Sequence, residues 1–207
     1  MNSIKINYGI EKNTVTKLKS YTIDNFRSKD LHLWIGVEAI QGDLVIELND
    51  KYIFEIPKNA LEELEKDNLI INSISDPYNR LGLNGVCLLD WYSNLVKLTI
   101  ELIRGKKEVA IEIIEHSIDI TINKDEKYLY LSFDKFRNGK SLHWISPYII
   151  HDIKDEPISH NIFINEVIRS TNLFVNELLE INPGIKEEEV FNKLQINLKK
   201  LIELNQD

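Results

Sequence analysis

Residues 90–133 show the clearest alternation of hydrophobic and polar positions in the chain. Asp90 is a favourable N-cap residue and Gly105 is a favourable residue to end a helix, so the segment between them predicts an α-helix over 91–104. Apolar residues recur there at helical spacing, which places them on one face. The members of this face are Trp91, Leu95, Leu98 and Leu102.

Three segments after this helix follow a different pattern, in which every second residue is apolar. That period is typical of half-buried strands, and the short polar turns between the segments predict an antiparallel meander. The predicted strands are 108–115, 117–122 and 127–133.

The first part of the chain predicts a further sheet by the same alternation. Its expected strands are 31–40, 43–49 and 52–56. The last two are separated by Asn49-Asp50, which favours a tight hairpin turn. A short helix ending near Asn68 follows, and residues 69–89 are expected to be rich in loops because they contain several turn-forming residues.

The last part of the chain returns to helical spacing. Apolar residues at intervals of three and four predict a helix over 159–181, and Asn182-Pro183-Gly184 ends it. A second helix follows, with glutamates in its first turn and lysines near its last, which suits the helix dipole at both ends. The short connection predicts an antiparallel αα-hairpin.

Together these elements predict a single α+β domain over 1–207, with mostly antiparallel sheet, a central helix and a C-terminal αα-hairpin. Residues 1–134 are expected to be mainly β with two helices, and 135–158 to be irregular. Residues 159–207 are expected to form a helical hairpin packed on the rest.

Charge changes this picture by suggesting what the surface binds. The net charge of the 207 residues is −8, but residues 1–29 hold six Lys/Arg and two acidic residues, a balance of +4, so the remainder carries −12. An acidic body repels phosphate backbones, which disfavours general nucleic-acid binding and suits a basic protein partner. Solubility is the alternative reason for such acidity.

The expected compartment is the cytoplasm. Cys87 is the only cysteine, so no disulfide can form within the chain, and residues 1–13 lack the apolar stretch of a signal peptide. No run of apolar residues approaches the roughly 18 that a membrane span requires, so no membrane association is expected.

Motifs with known chemistry are absent from the sequence. It contains no phosphate-binding loop, no G-x-S-x-G, no H-E-x-x-H and no C-x-x-C, so it predicts neither a cofactor nor a metal site. Cys87 has apolar neighbours and is expected to be a buried structural thiol. The enzymatic alternative to a non-catalytic binding protein is a small metal-dependent or His/Asp-based hydrolase that uses the 143–160 loop, with His151 and Asp152 as the catalytic pair. This loop also contains His143, Asp155 and His160.

Aromatic and acidic residues of the first predicted sheet are the candidate partner contacts. Trp34 is predicted on the polar side of its strand, so it is either covered by the C-terminal helices or exposed as a binding anchor. Trp91, in contrast, is predicted in the core. The candidate contact set is Trp34, Glu38, Asp43, Glu47 and Asp50.

The run DWYSNLVKLTIELIRGKKEVAIEIIEHSIDITI, followed by YLYLSF and FINEVIRSTNLFVNELLE, resembles small bacterial α+β proteins of the polymorphic-toxin immunity type. The resemblance lies in the hydrophobic pattern and the order of elements over roughly 90–181. It implies a non-catalytic protein that neutralises a cognate toxin by occluding it. A second alternative is a structural adaptor that oligomerises through its C-terminal hairpin.

Overall fold

The computed structural model describes residues 2–20, 40–55, 83–113, 118–135, 149–150 and 153–206. Within these residues the chain forms four α-helices, one 3₁₀ helix and ten strands, and the predicted α+β class is confirmed. The strands are β1 (Ile4–Ile10), β2 (Gln41–Leu48), β3 (Lys51–Tyr52), β4 (Phe54–Glu55), β5 (Leu83–Cys87), β6 (Glu108–Ile113), β7 (Ile118–Lys124), β8 (Tyr128–Lys135), β9 (Ile149–Ile150) and β10 (Ile153–Ser159). The α-helices are α1 (Lys12–Ser20), α2 (Leu88–Ile103), α3 (His160–Ile181) and α4 (Glu189–Leu204), and the 3₁₀ helix is Pro183–Glu187.

The first sheet is built around β2. Strand β1 pairs with it along one edge, while β3 and β5 share the other edge, all antiparallel. The predicted turn between β2 and β3 is confirmed, with positive φ angles of 51° at Asn49 and 63° at Asp50. Such a pair of left-handed residues is the two-residue hairpin turn that the strand twist favours.

The predicted second strand of this hairpin is shorter than expected. Residues 51–55 form two short strands separated at Ile53, and the second of them, β4, leaves the sheet to pair with β9. The predicted strand at 31–40, apart from Ile40, and the predicted helix ending near Asn68 lie outside the described residues.

The second sheet has the order β10-β8-β7-β6 and is antiparallel throughout. It confirms the predicted meander and corrects the prediction that 135–158 is irregular, because β10 adds a fourth strand at its edge. This strand contains Pro157 and a bulge between Ile153 and Glu156, where Asp155 has a φ of 52°. Proline and bulges are tolerated at a sheet edge, and both obscure the alternating pattern.

Helix α2 forms the middle of the molecule, as predicted, but it begins at Leu88 rather than at 91. Asp90 therefore lies in the first turn instead of at the N-cap, while Gly105 ends the helix with a φ of 102° as expected. The helix is buried on most of its circumference, because both sheets and the C-terminal helices pack around it.

The C-terminal hairpin is confirmed. Helix α3 is capped by the Ser159 hydroxyl, which accepts from the Ile162 N–H, and Asn205 near the end of α4 donates to Asn165 near the start of α3. The two helices therefore run antiparallel. The apolar face of α4 is buried within the chain, where α4 contacts α2. Its members are Phe191, Leu194, Leu198 and Leu201.

The main core lies where the two sheets, α2 and α3 meet. Trp91 is 5% exposed there, so its predicted core position is confirmed. The side chains that meet at this point are Ile4, Ile6 and Ile46 of the first sheet, Ile111, Ile120, Ile122, Leu131 and Phe133 of the second, Trp91 and Leu95 of α2, and Phe163 of α3.

Candidate partner-binding groove

The described members of the predicted contact set, Asp43, Glu47 and Asp50, do not form one acidic surface. Asp43 is only 1% exposed, so it cannot contact a partner in this conformation. Glu47 is half-buried and pairs with Lys5 directly across the β1–β2 ladder at 3.4 Å, which offsets its charge. Asp50 is exposed in the hairpin turn. Trp34 and Glu38 lie outside the described residues.

The turn that carries Asp50 is held in place from both sides. The Asn49 side-chain oxygen accepts from the Ser3 N–H at 2.9 Å, and its amide donates to Glu156 of β10 at 2.9 Å. The turn therefore links the first sheet to the edge of the second sheet.

The alternative site in the 143–160 loop is described only at its end, because His143, His151 and Asp152 lie outside the described residues. Asp155 donates its backbone N–H to Ser132 at 2.9 Å, and His160 occupies the first position of α3. Among the described residues, no group of three or more His, Cys, Asp or Glu side chains could hold a metal ion. The catalytic pair therefore stays a prediction.

Cys87 is half-buried rather than fully buried, which corrects part of its prediction. It occupies the N-cap position of α2, where its side chain makes no capping hydrogen bond.

A recess in the described surface lies between the outer edge of β1 and helix α3. In the β1–β2 ladder the backbone N–H and C=O groups of the odd-numbered residues of β1 point toward β2. This follows from the backbone hydrogen bonds at the two ends of the ladder, where Asn49 donates to the Ser3 carbonyl and Glu11 donates to the Gln41 carbonyl. Backbone groups of the even-numbered residues consequently point away from β2, toward α3. Among the described strands, β1 is thus an edge strand, and its outer side faces a helix.

An ion pair from α3 closes this edge at Ile6. One carboxylate oxygen of Glu166 accepts from the Ile6 N–H at 2.5 Å, and the Arg169 guanidinium donates to the Ile6 carbonyl at 2.9 Å. Arg169 also donates to both oxygens of Glu166, each at 2.6 Å. Its pKa is raised, chiefly by these hydrogen bonds to Glu166. The pair thus supplies the acceptor and the donor that a neighbouring strand would have supplied.

An aromatic cluster lies next to this ion pair, and its member Tyr8 forms the floor of the recess. The Tyr8 ring meets Tyr92 and Phe174 edge-on, with centroids 5.7 Å and 5.3 Å away, while Tyr92 and Phe174 stack at 4.6 Å. The Tyr8 hydroxyl donates to Glu177 at 2.7 Å. Burial, and then this hydrogen bond to Glu177, raise the pKa of Tyr8, so the phenol stays protonated at neutral pH and acts as a donor.

Beyond this floor the recess opens into a groove of about 590 Å³, which we call the β1–α3 groove. Leu173 on its helical wall is 50% exposed, although most large apolar side chains of the described chain are buried. Glu177 and the exposed Glu180 supply the charge of the groove. The described residues that line it are Ile6, Asn7, Tyr8, Leu173, Asn176, Glu177 and Glu180.

These groups give the groove the chemistry of recognition. It offers carboxylate oxygens, amide groups, an exposed leucine and the edge of a strand, while its phenol is held protonated and the Arg169 guanidinium is already paired. Sequence reasoning missed this site because it did not predict β1. The signal it could have used is a stripe of residues along α3, at spacings of three and four, in which four residues are charged and one is a leucine. Its members are Glu166, Arg169, Leu173, Glu177 and Glu180.

In comparisons with protein-family models, curated protein sequences and solved structures, the chain has no significant match. Among the described residues, no helix combines the length and apolar character that crossing a membrane requires.

Proposed function

We propose that this chain is a non-catalytic binding protein of the cytoplasm that recognises a basic protein partner through the β1–α3 groove. The observation that carries the proposal is the composition of the described part of the groove, where the charged side chains are the carboxylates Glu177 and Glu180 and an exposed leucine lies beside them. A partner with a basic segment would complement both features.

The most concrete form of this function is that of an immunity protein, which neutralises a cognate bacterial toxin by occluding it. The charge of −12 carried by residues 30–207 supports it, because a strongly acidic surface accelerates association with a basic toxin. Occlusion requires only that the bound chain covers the toxin's working surface, so no catalytic group is needed on this side of the complex.

The function is tested by co-expressing the full chain with the product of the adjacent gene in a host that this product arrests. We expect growth to recover and the two proteins to elute as one complex in size-exclusion chromatography. If growth stays arrested and the two proteins elute separately at low salt, the immunity function is wrong.

A further inference from the structure

We propose that the β1–α3 groove binds an extended segment in which a lysine or arginine lies two positions from an apolar residue. This inference rests on the proposed function, since it names the part of a basic partner that the groove recognises. Three features of the groove carry it: one open backbone position, an exposed leucine, and a pair of carboxylates at a fixed distance from that leucine.

The open backbone position is Tyr8. Its N–H and C=O point toward the groove, as those of Ile6 do, and they have no hydrogen-bond partner among the described residues. Glu166 and Arg169 already occupy the same groups of Ile6. A segment in the groove can therefore form one backbone bridge, and it cannot extend the sheet along the whole of β1.

The spacing on the helical wall selects the side chains of the segment. Glu177 follows Leu173 by one helical turn, a rise of about 6 Å. Two residues of an extended chain advance by about 6.6 Å, and side chains two positions apart point the same way. A segment that places an apolar side chain on Leu173 consequently brings its second-next side chain to Glu177.

The charge at that point selects a cation. One oxygen of Glu177 accepts from the Tyr8 hydroxyl, which leaves its other oxygen and the exposed Glu180 carboxylate for a further donor. Among the described residues that line the groove, none is basic. Lysine or arginine would supply the missing donors, and both carboxylates would then be paired.

An ion pair elsewhere on α3 indicates how a cation of the chain itself could occupy the position beside Glu177. Glu166 and Arg169 are three residues apart and form an ion pair on this face of α3, and Glu177 and Glu180 have the same spacing about three turns further on. In the variant Glu180→Arg a guanidinium would therefore pair with Glu177 and occupy the place that we assign to the partner's cation.

The probes are three acetylated and amidated pentapeptides, titrated into the full ¹⁵N-labelled chain at low salt and followed by amide chemical shifts. Thr-Leu-Thr-Arg-Thr has the proposed spacing, Thr-Thr-Leu-Arg-Thr places the same residues side by side, and Thr-Leu-Thr-Glu-Thr reverses the charge. We expect the first to shift the amides of 6–8 and 173–180, and to bind at least about threefold more tightly than the second. The third should not bind.

Two variants with matched charge changes decide whether the groove is responsible. Glu177→Gln/Glu180→Gln should weaken binding of the first peptide about tenfold, while Glu126→Gln/Glu203→Gln, outside the groove, should change it by less than twofold. Glu180→Arg should abolish binding while the chain stays folded. Equal binding of the first two peptides, equal effects of the two double variants, or undiminished binding by Glu180→Arg would each overturn the inference.

The same variants separate this inference from the proposed function. If Glu177→Gln/Glu180→Gln still rescues growth and still forms the complex, the function holds and the groove is not its site. If the peptides bind as expected but the adjacent gene product does not bind, the groove is a basic-segment site and the immunity function is wrong.

Discussion

Glu166 provides the sharpest test of how the edge of β1 is held. Glu166 is 8% exposed, and its carboxylate accepts from the Ile6 N–H and from Arg169. Removing it in Glu166→Ala leaves the Ile6 N–H without an acceptor. A hydrogen bond to a charged group contributes about 1.5–3 kcal/mol, and the half-exposed ion pair adds at most about 1 kcal/mol. We therefore expect the free energy of unfolding to fall by about 2–4 kcal/mol.

Urea unfolding at pH 7, followed by circular dichroism, measures this change from the shift of the midpoint at constant slope. Glu189→Ala is the matched control, because Glu189 also pairs with a basic residue on its own helix, Lys193, but is exposed. Solvent screens an exposed pair of this kind, so its loss should shift the unfolding midpoint only slightly. Glu166→Gln keeps an acceptor for Ile6 and should lose less than Glu166→Ala. The reasoning is refuted if Glu166→Ala costs no more than Glu189→Ala.

Two further predictions concern the start of β2 and the adjacent end of β1. A Cβ at Gly42 would lie 2.1 Å from the Gly9 carbonyl oxygen, so Gly42→Ala should lower the free energy of unfolding in urea by at least about 3 kcal/mol. A Cβ at Gly105 would meet open space, so only the φ of 102° would be strained, and Gly105→Ala should cost about 1 kcal/mol. Similar losses for both variants would contradict the packing argument. Burial, and then the charge of Asp43, raise the pKa of Glu11 above its usual 4.5, so ionising it opposes folding. The folded state therefore loses stability as the pH rises through that value. The stability of Glu11→Gln relative to the parent chain should consequently increase between about pH 4 and neutrality. If the difference in unfolding free energy between the two proteins does not change with pH, the charge of Glu11 is not the cause.

The sequence predicted the elements whose patterns are local and regular. Helix α2, the β6–β7–β8 meander and the C-terminal hairpin each repeat one period over several residues, so their type and order could be read directly. The Asn49-Asp50 turn was also predictable, because few residues accept its positive φ angles.

The missed elements lack such a pattern for identifiable reasons. Strand β5 contains Gly85 at a φ of 70° and pairs with β2 out of regular register, which removes the alternation. Strand β10 contains a bulge and a proline. Strand β1 does alternate, but its partners lie far along the chain, and the sequence does not show which strand it joins.

The candidate site depends on those distant contacts, which is why it was not predicted. The acidic residues of β2 were selected for their charge, but Asp43 is buried by tertiary packing and Glu47 is paired across the ladder, neither of which the sequence shows. The β1–α3 groove exists only because residues about 160 positions apart meet.

The contacts that complete the β1 edge also set an order for biosynthesis. Asn2 donates to the Pro157 carbonyl, Tyr8 donates to Glu177, and Asn182 donates to the Leu18 carbonyl, so the first twenty residues are joined to a part of the chain that the ribosome makes much later. Until α3 has left the ribosome, β1 has no cover on its outer side, and an uncovered strand edge is a site of aggregation. Ribosome-bound chains that stop before α3 should therefore need chaperone protection that the finished protein does not.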